Sequence, residues 1–308
     1  MDCSGWIDLQ VNGFLGLSFS ASDLTLDHIR RITQALRERG TSAYCPTLVT
    51  CDPAILERNL PLLAAAMREP DLQAHLPGIH IEGPFLARPS RGAHPIEWLA
   101  APSLQLFEEW QRLSENKIRI LTLAPELDGA MELIRHAAAQ GVIVSLGHHL
   151  ADDDTINRAV DAGATLCTHL GNGIVGTLPR HPNPIWTQLA DDRLQACFIA
   201  DGFHLPASFL RVAWRTKGVE RFIVTSDAAP IAGLPPGDYD MMGAPVEIEP
   251  SGRIIVRELA DDGTVSLAGS SSTMSDCMSH LESLGDWTEA DLIKIGRTNP
   301  ARLLGFNI

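Results

Sequence analysis

Short apolar runs alternate with amphipathic segments along this chain of 308 residues. Gly5 to Gly13 reads as a strand that stops at Asn12-Gly13. Leu24 to Arg39 has the three-and-four spacing of a helix with one apolar face, closed by Gly40. Ala43 to Thr50 is strand-like, and Pro53 opens the next helix at a favoured first-turn position. Ile79 to Glu82, Ile118 to Ala124, Val142 to Leu146, Thr165 to Leu170, Leu194 to Ala200 and Arg221 to Ser226 continue the strand series. Helices are predicted over Ser103 to Ser114, Asp128 to Gln140, Asp152 to Asp161 and Pro206 to Lys217. Strands that alternate with helices in this way predict an α/β fold, a parallel sheet closed as a (β/α)8 TIM barrel. An open doubly wound sheet is the competitor. It would carry a Gly-rich phosphate loop after its first strand, and Val11-Asn12-Gly13-Phe14 is not one.

Beyond the last of these strands, Tyr239 to Ala268 alternates around Asp261-Asp262-Gly263. It is expected to form a β-hairpin insertion, 239–268, within a single hydrolase barrel domain spanning 1–308. Ser275 to Leu284, Glu289 to Gly296 and a helix opened by Pro300 complete the outer layer. The Pro-rich patches Pro179 to Pro184 and Pro230 to Pro236 read as functional loops.

In such a barrel the chemistry sits at the C-terminal ends of the strands. Those ends carry Asp8, Gln10, Asn12, Glu82, His148, His149, His169, Asp201, His204 and Asp227. Glu82 ends a short apolar strand broken by Gly83-Pro84, and a charged group there needs a partner or an ion. One carboxylate and two neutral imidazoles can hold a borderline cation and leave a position open for water. Glu82, His148 and His169 are therefore the expected ligands, and Asp227 the acid/base. Each alone has a bland reading, as a hydrogen-bonded histidine or a paired carboxylate; together they favour a metal. His149 neighbours His148 along the strand and points to the opposite face, so it is expected in the wall or just outside the ligands rather than on the ion. Asp201-Gly202 reads as a turn, Asp152-Asp153-Asp154 as a helix start matched to the dipole, and Ser270-Ser271-Ser272 as a cap for the following helix.

Composition narrows the partners. The formal charge is 24 − 38 = −14, which argues against nucleic acid or an anionic membrane as partner. No apolar run reaches the ~18 residues of a membrane span. The start, Met1-Asp2-Cys3-Ser4-Gly5-Trp6, lacks a signal peptide's pattern. The six cysteines form no CxxC pair, and a cytoplasmic location is expected.

The residues also carry a resemblance. Trp6-Ile-Asp-Leu-Gln-Val-Asn-Gly13, Gly78-Ile-His-Ile-Glu-Gly-Pro-Phe85, Gly92-Ala-His94, Leu146-Gly-His148, Gly163-Ala-Thr-Leu-Cys-Thr-His-Leu170, Ile199-Ala-Asp-Gly-Phe-His204, Val224-Thr-Ser-Asp-Ala228, Ala268-Gly-Ser270 and Thr298-Asn-Pro-Ala301 keep a family's order across nearly the whole chain. The chain resembles the N-acetylglucosamine-6-phosphate deacetylases of the amidohydrolase superfamily. The resemblance places Glu82, His148 and His169 on the family's metal ligands and Asp227 on its catalytic aspartate. It places His94, Asn172 and His204 on residues that contact the sugar or its reacting amide, and Arg180 on a phosphate-binding arginine. Gln10 and Asn12 stand where relatives with two metals carry His-x-His. Their amides are weaker ligands, so one divalent ion is implied, with zinc expected and iron, cobalt or manganese also suited to the set. Gln10, Asn12 and His80 are expected around the ligands rather than on the ion.

Three departures stand out. The family's flanking β-sandwich is expected to be missing, since Trp6 comes almost at once and Gly305-Phe306-Asn307-Ile308 ends the chain. The usual His-Leu-(Phe/Tyr)-Asn-Ala-Met is His169-Leu-Gly-Asn-Gly-Ile174 here, and Arg180 is followed by His181-Pro182-Asn183-Pro184. The implied reaction is hydrolysis of an N-acetyl amino sugar, N-acetylglucosamine-6-phosphate first, by a homodimer. The alternatives are a different N-acyl or cyclic amide on the same metal centre, and a non-catalytic sugar-binding barrel.

Overall fold

The computed structural model describes residues 1–257 and 265–306. β1 (Trp6–Val11) is followed by a short antiparallel hairpin, β2 (Gly13–Phe14) with β3 (Leu17–Ser18). The barrel continues through β4 (Thr41–Val49), β5 (Ile79–Glu82), β6 (Ile118–Leu123), β7 (Ile143–Leu146), β8 (Ala164–Cys167), β9 (Gln195–Ile199) and β10 (Phe222–Thr225). The eight strands lie side by side in sequence order, all parallel. A parallel bridge between Val11 and Ala228 brings the last strand back to the first, so the predicted (β/α)8 barrel is what forms.

The helical layer follows the sequence pattern closely. α1 (Leu26–Glu38) starts where the Thr25 side chain accepts the His28 N–H, and it buries Ile29, Ile32 and Leu36. α2 (Pro53–Ala66) is capped by Asp52, with Pro53 in its first turn. α3 (Leu104–Leu113), α4 (Ala130–Ala139) and α5 (Asp153–Ala162) fill the expected segments. The Pro-rich stretch is a loop up to Asn183, as expected, but its last proline opens an unpredicted helix, α6 (Pro184–Ala190). Asn183 accepts the N–H groups of Ile185 and Trp186 there, and Pro184 takes the first turn. Seven residues are too few for a helical period to show in sequence. α7 (Ala207–Arg221) kinks at Gly218, φ 63°, and continues to Arg221, which therefore ends a helix rather than opening a strand.

After the barrel the expected hairpin is a three-stranded antiparallel sheet, β11 (Gly237–Met241), β12 (Ala244–Ile248) and β13 (Ile254–Val256). The Asp261-Asp262-Gly263 turn lies outside the described residues. α8 (Met274–Leu284) is capped by Thr273 and Asp276, not by the preceding serines. α9 (Glu289–Ile293) and α10 (Asn299–Leu303) follow, and Ala301 and Leu304 pack under the barrel floor. Among the described residues no helix is long and apolar enough to cross a membrane.

The barrel interior changes character with height. Ile120, Ile143, Leu166 and Ile223 belong to one apolar floor. Two residues along each strand, and so on the same face, stand the buried hydroxyls of Thr122, Ser145, Thr168 and Thr225. The polar strand-end residues lie just above them.

Candidate metal centre and active site

Glu82 is 2% exposed at the end of β5, with His148 and His169 beside it after β7 and β8. One ligand atom from each of the three lies within 4.8 Å of the others. Glu82 Oε1 is 3.0 Å from His169 Nε2 and 3.3 Å from His148 Nε2. His148 and His169 stand one residue beyond the inward-facing Gly147 and Thr168, so a continued strand would turn them from the axis. The backbone leaves the strand there: φ is 53° at His148 and 26° at His169. Such left-handed conformations are costly for side chains with a Cβ and gather where a site demands them. Asp227, at the end of β10, shares the feature with φ 51°.

The hydrogen bonds fix the tautomer at His148. Its Nδ1 donates to the Ser90 carbonyl at 2.9 Å, which leaves the Nε2 lone pair free. Neither that buried Nε2 nor the buried Nδ1 of His169 has a hydrogen-bond partner. Orphaned ring nitrogens beside a buried carboxylate fit a cation, and the one-carboxylate, two-imidazole donor set suits a borderline divalent ion. Burial works against the Glu82 charge, but His148 and His169 outweigh it and hold the carboxyl well below its usual range. Glu82 in return outweighs burial at His169 and raises that imidazole.

Gln10 and Asn12 are both brought to the site. Gln10 Nε2 donates to Glu82 Oε2 at 2.9 Å and to Asp227 Oδ1 at 2.8 Å. Asn12 Nδ2 donates to the same Asp227 oxygen at 2.8 Å. Asp227 Oδ1 is thus saturated by two amides, and no hydrogen bond reaches Oδ2 among the described residues. Burial, then the nearby Glu82 charge, push Asp227 up to about 6. A carboxylate poised near neutrality beside residues that could hold a metal ion can take and return a proton.

His94 faces the same carboxylate, with Nε2 3.8 Å from Glu82 Oε2 and Nδ1 2.8 Å from Thr50 Oγ1. Burial, then His148, push it down to about 3, so it is a neutral ring at physiological pH. His80 lies below. Its Nδ1 donates to the Leu9 carbonyl, so Nε2 must accept from Thr122, and Thr122 in turn from Thr168. Burial holds His80 at about 4, in keeping with that neutral chain. Asn172, beside His148 in a cleft that Gly171 and Gly173 also line, has a buried Nδ2 without a partner. His204 is bound through Nδ1 to Asp201 Oδ2 at 2.7 Å. His149 stays in the wall, its Nδ1 accepting the Ala151 N–H at 3.2 Å. Arg180 is exposed in the loop before α6, and no hydrogen bond or ion pair among the described residues joins it to the cluster.

No family model matches the chain. Individual proteins do. It aligns with the N-acetylglucosamine-6-phosphate deacetylase of Bacillus subtilis at 35% identity over 305 residues, 98% of this chain and 74% of that one. The chain belongs to the N-acetylglucosamine-6-phosphate deacetylase family. It is thus an enzyme of the amidohydrolase superfamily, as its motifs implied. The crystal structure of a Mycobacterium smegmatis N-acetyl-D-glucosamine-6-phosphate deacetylase superposes with a TM-score of 0.88 at 30% identity, over 99% of this chain and 78% of that one. A mutant of the Mycobacterium protein, in complex with N-acetyl-D-glucosamine-6-phosphate, gives the same score at 29% identity, with the same shares covered. An N-acetylgalactosamine-6-phosphate deacetylase from Escherichia coli O157:H7 is 30% identical over 98% of this chain and 78% of its own.

Several contributors were not visible as such in the sequence. Ser90 and Thr50, which orient His148 and His94, sit in or before loops with no periodic signal. Asp8 accepts from Thr225 Oγ1 at 2.8 Å and from both the backbone and the hydroxyl of Ser226. It thereby clamps the residue that precedes Asp227. Its only signal was a place two residues ahead of Gln10 on a polar strand end.

Proposed function

We propose that this enzyme hydrolyses the acetyl group from N-acetylglucosamine-6-phosphate, with Glu82, His148 and His169 holding one divalent ion and Asp227 as acid/base. The buried Glu82–His148–His169 cluster with Asp227 beside it carries the reading. A divalent ion in that cluster, zinc by preference, supplies Lewis acidity to the acetyl carbonyl and acidifies water. Gln10 and Asn12 hold Asp227 Oδ1, which leaves Oδ2 to work. Asp227 accepts a proton from the water that adds to the carbonyl carbon. It returns that proton to the sugar nitrogen as the carbon–nitrogen bond breaks, giving acetate and the free amine. The unpaired Asn172 amide and His94 Nε2 are donors for substrate oxygens, and His204 contacts the reacting amide. Arg180 is assigned to the phosphate, for which its planar fork is suited.

The relative named for N-acetylgalactosamine-6-phosphate, together with the changed Gly171 to Ile174 stretch, makes the C4 epimer the second reading. Acetate release from N-acetylglucosamine-6-phosphate, its C4 epimer and unphosphorylated N-acetylglucosamine tests both. The phosphate should raise kcat/KM by about tenfold or more, and Arg180→Ala should erase most of that gain. Equal turnover of phosphorylated and free sugar would remove the 6-phosphate from the reading. Faster release from the epimer would replace the sugar.

A further inference from the structure

Asp201 was legible only as a turn residue, yet all of its acceptor positions are used. Oδ1 accepts the backbone N–H groups of Phe203 and His204, each at 2.9 Å. Oδ2 accepts from His204 Nδ1 at 2.7 Å and from Ser270 Oγ at 2.9 Å. The side chains of Asp201 and His204 are 2% and 7% exposed. Ser270 is in turn bridged to the strand that carries Asp227: its N–H donates to the Asp227 carbonyl at 3.0 Å, and its own carbonyl accepts the Ala229 N–H at 2.8 Å. Gly202 between them leaves no slack, since a Cβ there would meet the His280 ring at 3.0 Å.

We propose that Asp201 is the positioning residue for His204: it keeps the proton on Nδ1, so that Nε2 is the nitrogen turned to the acyl group. Ser270 ties the pair to the backbone of Asp227. A carboxylate that accepts four hydrogen bonds has no place for its own proton, so Nδ1 must donate. Burial opposes the Asp201 charge, but the His204 bond and charge outweigh it and hold the carboxyl at about 2. The assignment rests on the deacetylase reading for what Nε2 meets, and on geometry alone for the pairing.

Asp201→Asn is the discriminating variant. Its amide keeps an oxygen for the two backbone donors and turns N–H groups towards His204, which forces the ring proton to Nε2. In the metal-loaded full chain, kcat/KM for N-acetylglucosamine-6-phosphate should fall by about tenfold or more, at unchanged metal content. In a His204→Gln background the same change should cost less than about twofold, because Asp201 then has nothing to orient. Nitrogen-15 spectra of the histidine rings should show the His204 proton on Nδ1 in the native protein and on Nε2 in the variant. Equal losses in the two backgrounds, or a ring proton that does not move, would overturn the proposal. The ring measurement needs no substrate. Failure of the deacetylase reading shows as no acetate release with the proton still on Nδ1, and failure of this inference as normal release with the proton elsewhere.

Discussion

Gln10 Nε2 donates to Asp227 Oδ1 at 2.8 Å, across 217 residues of sequence. The same amide reaches Glu82 Oε2 at 2.9 Å, so one side chain sets the spacing between the cluster's carboxylate and the proposed acid/base. Gln10→Leu keeps the volume roughly and removes both donors. It should lower kcat by about tenfold to a hundredfold, through an Asp227 freed to rotate, while the protein stays folded. Steady-state acetate release and far-ultraviolet dichroism on the same samples check it; a variant with native kcat would show that the amide only fills space.

The reach of the sequence can be traced to particular residues. Glu82, His148, His169 and Asp227 were legible because each follows an apolar run and none has a packing reason to be there. Their convergence on the strand-end face was expected too, but not the means of it. It depends on left-handed backbone at His148, His169 and Asp227, and on loop carbonyls and hydroxyls such as Ser90 and Thr50. Those contacts join segments tens of residues apart, and no period records them. α6 escaped because its cap and proline look the same in a loop as at a helix start. Asp201 escaped because a residue that accepts the N–H groups of the next turn is what any turn aspartate does. Arg180 was assigned by likeness, since an exposed arginine in a Pro-rich loop follows no period that marks it.

Gly147 is a packing constraint beneath His148. A Cβ there would lie 2.7 Å from Thr168 Cβ and 2.8 Å from Thr122 Cγ2, both on barrel strands or their ends. Neither neighbour can retreat, since both belong to the hydroxyl layer that also holds His80. Gly147→Ala should cost about 1–3 kcal/mol of stability and displace the adjacent His148. Urea denaturation and metal content per chain read the two effects, and unchanged values of both would mean that the strand ends yield more easily than their packing implies.

Lys217 gives the converse case, stability without chemistry. It is fully buried, and Nζ donates to the carbonyls of Asp191 and Leu194 at 2.8 and 2.9 Å. Those carbonyls precede β9 and so lie at the opposite end of the barrel from the site. Lys217→Met removes this donor from both, leaving the Asp191 carbonyl only the Leu194 N–H at 3.2 Å, and should cost about 1–3 kcal/mol. Turnover by the folded variant should match the native enzyme; a large fall in kcat with an intact melting curve would place Lys217 in the site's support instead.

Asp227 should trade stability for turnover. In the metal-free chain burial, then Glu82, push it up to about 6 from an ordinary 3.8. Below about pH 4 the carboxyl is protonated whether the chain is folded or not, and its contribution to stability is then at its best. As the pH rises from about 4 to about 6, the unfolded chain releases the proton while the folded chain still holds it, so folding loses stability through this window. By pH 7 a carboxyl raised that far costs folding about 3 kcal/mol. Asp227→Asn removes the charge and can still accept from Gln10 and Asn12 through its amide oxygen. It should therefore abolish nearly all acetate release while the Glu82, His148 and His169 set still takes up one metal. After chelation at pH 7.5 it should also resist urea better than the native chain, and the gap should close as the pH is lowered towards about 4. A fully active variant would remove Asp227 from the chemistry, and a variant no more stable than native at pH 7.5 would mean that the amides already satisfy the ionised carboxylate.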